Sequence, residues 1–360
     1  MANTPPETDL ITREELQLAA RNHGMPLEAL RYPITPVGLH YLLVHYDIPA
    51  VDPAAWRLEV GGVVEKQLVL SLDEIKAMPA KSLAVTMECA GNGRAALLPR
   101  PINQPWILEA IGTGDWRGVS LRQVLELAIP LDQAREVVFT GLDHGLEGGI
   151  EQDYQRALTM DEATREEVML AYDLNGSPLP PQHGFPLRLV VPGWYGMASV
   201  KWLTRIEVTR EPFVGYQHVR SYRLRQHVDE PGVPVTRIVP RSLMVPPGFP
   251  DFMTRKRTIK RMPCRIEGRA WSGWGAITKV EVSADGGRTW GAAELDTAAQ
   301  SPWAWRGWSF EWSPPGPGDY ELCSRATDET GKVQPLDVPW TTSGYSNNAV
   351  QRVKVNVLTA

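Results

Sequence analysis

Cysteine is scarce in this 360-residue chain: Cys89, Cys264 and Cys323 are all it has. Three thiols make no disulfide framework. Neither CxxC nor CxxCH occurs, which excludes a zinc ribbon and an attached c-type haem on motif grounds. GxGxxG is missing, as are GxxxxGKS and GxxxxGKT, so neither a dinucleotide site nor a P-loop is expected. No apolar run approaches the roughly 20 residues that cross a bilayer. Positive charge is not in excess either. The 37 basic and 42 acidic residues leave a net charge of −5, which carries no nucleic-acid or membrane-surface footprint. The first residues, Met1 to Leu16, show no apolar core, twin arginine or cleavage signal. The expectation is a cytoplasmic protein, or a periplasmic one if a leader was trimmed.

What is present is an ordinary globular composition, 43% hydrophobic and 22% charged, with enough apolar residues for a sizeable core. The length suggests two or three domains. Up to about residue 236 helix starts alternate with short strands. Thr12-x-x-Glu15, Ser71-x-x-Glu74, Ser120-x-x-Gln123 and Thr159-x-x-Glu162 read as capping boxes. Apolar runs at 56–63, 83–89, 136–141, 186–191 and 200–208 read as strands. Without a regular βαβ rhythm, that mixture predicts an α+β domain over 1–236.

After Arg237 the helix signals stop. Pro240, Pro246, Pro247 and Pro250 mark a linker, and Arg255-Lys256-Arg257 with Lys260, Arg261 and Arg265 reads as a solvated basic segment. Strands follow at even spacing, over 264–271, 277–284, 305–312, 319–326 and 350–357, with turn signals at Asp285-Gly286-Gly287 and Pro314 to Gly318. Of the thirteen tryptophans, seven fall from Trp271 to Trp312, a local architectural device. This pattern predicts an immunoglobulin-like β-sandwich over 237–360. It shows no catalytic constellation of its own, so packing or dimerisation is its expected job.

The chemistry-bearing segments lie earlier. Leu83, Val85, Met87 and Cys89 alternate with Ala84, Thr86 and Glu88, the period of a half-buried strand. Cys89 is then the last inward residue before the turn Ala90-Gly91-Asn92-Gly93. A thiol there suits a metal ligand or a nucleophile, although cysteine is also a common buried small hydrophobe. Arg94 follows, where its fork can lower the thiol pKa or hold an anion. A second segment runs from His183 through Arg188 to Ser199 and Lys201. His183, Arg188 and Lys201 can converge on an anion such as a phosphate; read alone, the segment favours three solvated side chains instead. Tyr222 lies between Arg220 and Arg223, a phenol amid cations.

Together these segments resemble the sulfite oxidase family of molybdenum enzymes, from about residue 32 to 358. The resemblance implies a molybdopterin-binding domain followed by a dimerisation sandwich, which carries the family's DGGxTW at Asp285 to Trp290. It implies that Cys89, in CAGN, is the one protein ligand to molybdenum. It implies that His183 and Arg188 of HGFPxR, Ser199, Lys201 of VKW, Asp143 of GLD and His45 bind the pterin and its phosphate. Arg94, Trp106 and Tyr222, the last in an RxY run, become active-site residues. The implied cofactor is one molybdenum–molybdopterin per chain. No haem-binding region is legible in this chain, so electrons are expected to leave to an external acceptor such as a cytochrome.

Two departures bear on substrate. Where the family carries arginines facing sulfite, this chain has Leu43, two residues before His45, and Ser343, before Gly344. Each missing charge-assisted hydrogen bond to a dianion costs about 1.5–3 kcal/mol. The expected reaction is oxygen-atom transfer on a small sulfur oxyanion, sulfite and water giving sulfate. A sulfoxide, sulfane sulfur or nitrate is the alternative substrate, and a non-catalytic binding protein the alternative of another class. A homodimer without nucleic-acid or membrane partners is expected.

Overall fold

The computed structural model describes residues 11–297 and 301–359; the reading of residues 1–10 as leader-free lies outside them. It is mostly sheet with few helices. Helix α1 (Arg13–Arg21) starts at a reciprocal capping box, Glu15 N–H donating to Thr12 Oγ1 at 3.2 Å and Thr12 N–H to the Glu15 carboxylate at 3.0 Å. Ser71 and Glu74 do the same for α2 (Leu72–Ala77). Thr159 accepts from Glu162 N–H, but the Glu162 carboxylate turns to Arg165 and Arg237 instead. The expected box at Ser120 does not form. Helix α3 (Leu121–Ala128) is held instead by its buried stripe Leu121, Val124, Leu125 and Ala128.

Two sheets build the N-terminal part. One has the order β2 (Leu68–Leu70), β1 (Leu58–Gly62), β10 (Leu203–Thr209), β5 (Glu136–Glu147), β6 (Ile150–Thr159), with β1 and β10 parallel. The other has the order β3 (Ala80–Glu88), β4 (Ile111–Ser120), β7 (Met169–Leu174), β8 (Ser177–Pro178), with β9 (Arg188–Val190) also on β7. Strands β4, β6 and β7 were not legible in the sequence.

The C-terminal part is a two-sheet sandwich. Residues 241–244, 264–271, 306–312 and 294–295 form one sheet; 249–250, 257–259, 351–357, 318–328, 277–283 and 291–292 form the other. Met244, Ile266, Val280, Trp308, Leu322 and Val355 fill the space between. The tryptophans divide: Trp308 and Trp312 belong to this core, whereas Trp271 and Trp305 pack into the N-terminal core.

Two expectations are corrected. Strand β3 is not half-buried, because Ala84 through Glu88 are buried on both faces. The C-terminal part covers the second face: Thr86 N–H donates to the Trp303 carbonyl at 2.9 Å, and Trp305 N–H to Thr86 Oγ1 at 2.7 Å. Arg257 of the basic segment is not solvated. It is buried and donates to the carbonyls of Pro246, Pro247 and Gly248 at 2.8–2.9 Å, closing the proline linker on itself.

Candidate active site

The Cys89 turn is clamped from three sides. Cys89 N–H donates to the Ala110 carbonyl at 2.9 Å, extending the β3–β4 ladder by one residue. Asn92 closes the turn, its N–H on the Cys89 carbonyl at 2.9 Å, its amide N–H on Glu88 at 3.0 Å and its amide oxygen accepting from Ala110 at 3.1 Å. Gly93 has φ of 93° and packs where a Cβ would press on Asn347. Beneath the turn lies a charge cluster that sequence reasoning missed. The Glu88 carboxylate, 2% exposed, pairs with Arg241 at 2.7 Å and accepts from the Trp271 indole at 2.8 Å. Both partners come from the C-terminal part, as do Ser346, whose N–H donates to the Ala90 carbonyl, and Asn347, which donates to that of Gly93. The sandwich therefore helps to build the site, beyond the packing or dimerisation expected of it.

Cys89 opens on a narrow cavity of about 60 Å³ that gathers several predicted residues. His45, Asp143, His183, Arg188, Ser199, Lys201 and Tyr222 line it together with the thiol. Burial raises the thiol pKa, with Arg94 acting in the opposite sense. Free of metal, the thiol keeps its proton. Burial, helped by neighbouring cations, holds His45 at about 3 and His183 at about 2, so both imidazoles are neutral. His40, which sequence reasoning passed over, joins them, pushed down to about 4 by burial. Burial also lowers Lys201, with Arg188 adding to the effect, and raises Asp143.

Arg188 lies inside the wall. It donates to the carbonyls of His183 at 2.9 Å and Ser199 at 3.0 Å and stacks over Trp116 at 4.8 Å. Ser199 Oγ accepts from Val191 N–H at 3.1 Å. Lys201 donates to the Leu43 carbonyl at 2.7 Å. Trp106 lies in the same cluster as Cys89 and Met87.

Arg94 and Tyr222 belong to an aromatic ladder. Tyr222 and Cys89 line one cavity, and the Tyr222 hydroxyl is 2.7 Å from His45 Nε2. Tyr222 has φ of 52°, a conformation that a non-glycine residue keeps only when its surroundings over-determine it. Its ring stacks on Tyr345 at 5.1 Å, and Arg94 lies over Tyr345 at 5.3 Å. The Arg94 guanidinium donates to the carbonyls of Ser343 at 2.6 Å and Gln104 at 2.9 Å. Ser343 and Tyr345 thus occupy the stretch where an arginine was expected. Arg156, also missed, lies over the Tyr222 ring at 5.4 Å. Of two other arginines near these motifs in the sequence, Arg100 pairs with Glu15 and Arg220 is exposed.

Among the described residues, no group of three or more His, Cys, Asp and Glu side chains is placed to hold a metal. A metal at Cys89 therefore needs donors brought by a ligand. The chemistry of the lining suits such a ligand. Asp143 Oδ1 and His40 Nε2, both on residues that line the cavity, are buried without a hydrogen-bond partner among the described residues, unmet capacity that a polar heterocycle can satisfy. Lys201 beside Arg188 suits an anionic tail, and a soft thiolate suits molybdenum.

Residues 45–217 match the oxidoreductase molybdopterin binding domain, and residues 242–358 match the Mo-co oxidoreductase dimerisation domain. The chain belongs to the sulfite oxidase family of molybdopterin oxidoreductases. Sulfane dehydrogenase SoxCD from Paracoccus pantotrophus matches all of this chain and 95% of its own, with a TM-score of 0.80 at 26% identity. The NAD(P)H nitrate reductase of Hordeum vulgare is 35% identical and that of Lotus japonicus, an NADH enzyme, 34%, over 90% and 93% of this chain. The chain spans only 39–40% of the length of these two reductases.

Proposed function

We propose that this molybdopterin oxidoreductase carries out oxygen-atom transfer on a small sulfur oxyanion, sulfite and water giving sulfate, two protons and two electrons. The observation that carries the reading is the cavity itself, with one thiol, a neutral His45–Tyr222 pair and cations from Lys201 and Arg188 opening on a shared space. In this reading Cys89 ligates molybdenum. Lys201 faces the pterin phosphate, and Arg188 holds the His183 and Ser199 carbonyls in place around the pterin. Asp143 and the neutral His40, His45 and His183 meet the polar edges of the pterin. The cofactor supplies the oxygen transfer and the two-electron chemistry.

This chain's own contribution is orientation and charge. Burial pushes the Tyr222 phenol well above its usual range, so it stays protonated and donates a hydrogen bond toward a substrate oxygen. Tyr222→Phe is expected to lower kcat by about tenfold to a hundredfold, the worth of a hydrogen bond to a charged group, with cofactor content unchanged. Steady-state kinetics beside pterin analysis checks this; an unchanged kcat contradicts the role.

Nitrate is the second reading, favoured by the nitrate reductase relatives. Assays with sulfite and ferricyanide, and with nitrate and a reduced viologen, separate the two. Faster sulfite turnover supports the proposal; nitrate turnover without sulfite turnover overturns it. The electrons pass to an external acceptor such as a cytochrome, and the chain works as a homodimer through its C-terminal part. Light scattering at micromolar concentration is expected to give twice 40.1 kDa; a monomer contradicts the dimer and leaves the site untouched.

A further inference from the structure

We propose that Arg156 is a substrate-binding residue of this site, the cation that receives a small oxyanion beside Tyr222. The inference rests on the reading of the substrate as an oxyanion. Arg156 stands on β6 two residues after Tyr154, so the two share one face of the strand. Tyr154 lines the cavity with Cys89. Arg156 is 4% exposed, and its guanidinium lies over the Tyr222 ring at 5.4 Å. It donates through one nitrogen, to the Gln217 carbonyl, while its Nε is buried without a partner among the described residues.

Its surroundings contain little to balance it. Among the described residues no carboxylate lies within ion-pairing distance of Arg156. The charged and titratable groups around it are the phenols of Tyr154, Tyr222 and Tyr345, with His45 and His218, and beyond them Glu147, which accepts from the Gln217 amide at 2.6 Å and acts on the same three phenols. Both histidines are held neutral, mainly by burial and in part by this arginine. A buried guanidinium without a counter-charge is costly, and an arriving anion removes the cost. The same charge compensates for the arginines absent at Leu43 and Ser343. With Arg94 over Tyr345, it leaves the stacked tyrosine pair flanked by two cations.

The bland role is a strut that holds the Gln217 carbonyl and the Tyr222 ring. Arg156→Gln and Arg156→Lys in the molybdenum-loaded enzyme distinguish the two. Sulfate binding is read by isothermal titration and sulfite kinetics by steady state, with molybdenum content as control. For the Gln variant the sulfate Kd and the sulfite KM are expected to rise at least tenfold, with kcat within about threefold. That is the pattern of a removed uniform-binding interaction. The Lys variant should recover part of the affinity. A loaded Gln variant that binds sulfate like the parent overturns the proposal. So does depleted cofactor in both variants with unchanged sulfate affinity in the loaded fraction. If the parent does not turn over sulfite yet binds sulfate in an Arg156-dependent way, the oxyanion role stands and the sulfite reading fails.

Discussion

Replacing Cys89 by serine is expected to cut turnover by more than a hundredfold while leaving the fold intact. Substitutions one shell away from a metal typically cost 10–100-fold, and here the ligating atom itself is changed. The thiol is already pushed up by burial, so it gives up its proton only to a metal that forms a strong bond to sulfur. A serine hydroxyl in the same buried place is harder and far less acidic, and makes a poor partner for molybdenum. The pterin-binding roles ascribed to His183, Arg188 and Lys201 are untouched, so pterin content should remain near the parent level. Turnover within a few-fold of the parent would remove Cys89 from the chemistry.

Arg241→Ala is expected to destabilise the protein by about 3–5 kcal/mol, the usual cost of leaving one member of a buried ion pair alone. Arg241 lies 2.7 Å from Glu88, both side chains being 2–3% exposed. Without it, the Glu88 carboxylate keeps only the Trp271 and Asn92 donors. At about 2–4 °C per kcal/mol, the Tm should fall by roughly 6–20 °C. Because Glu88 directly precedes Cys89, cofactor content should fall with it. The double variant Glu88→Gln with Arg241→Met, which removes both charges, should recover part of the stability. A Tm shift below about 2 °C for Arg241→Ala would mean that the pair does not hold the domains or the turn together.

The elements most legible in the sequence are those that carry their signal locally. Cys89, the His183 to Arg188 run and Lys201 lie in short contiguous motifs, and the cavity brings them together. The sandwich strands alternate cleanly, and 264–271 is found at its expected bounds. Strand β4 is hidden because Gly112, Gly114 and Gly118 break its apolar period. Strand β6 is hidden because it is the last strand of its sheet and keeps a polar composition. Arg156, on that strand, is hidden with it. Tyr345 and the Glu88–Arg241 pair are illegible for a different reason. Each meets its partner across more than a hundred residues of chain, and only the docking of the two parts brings them together. The same docking buries the second face of β3, which local alternation assigns to solvent.

The most direct test is X-ray absorption at the molybdenum edge of the parent and of the Cys89→Ser variant. The parent is expected to contain molybdenum with one sulfur ligand beyond those the pterin brings, and the variant to lose that one sulfur while keeping the rest. An identical sulfur count in the two proteins, or a folded and active parent without molybdenum, would contradict the assignment of Cys89 as the metal's protein ligand.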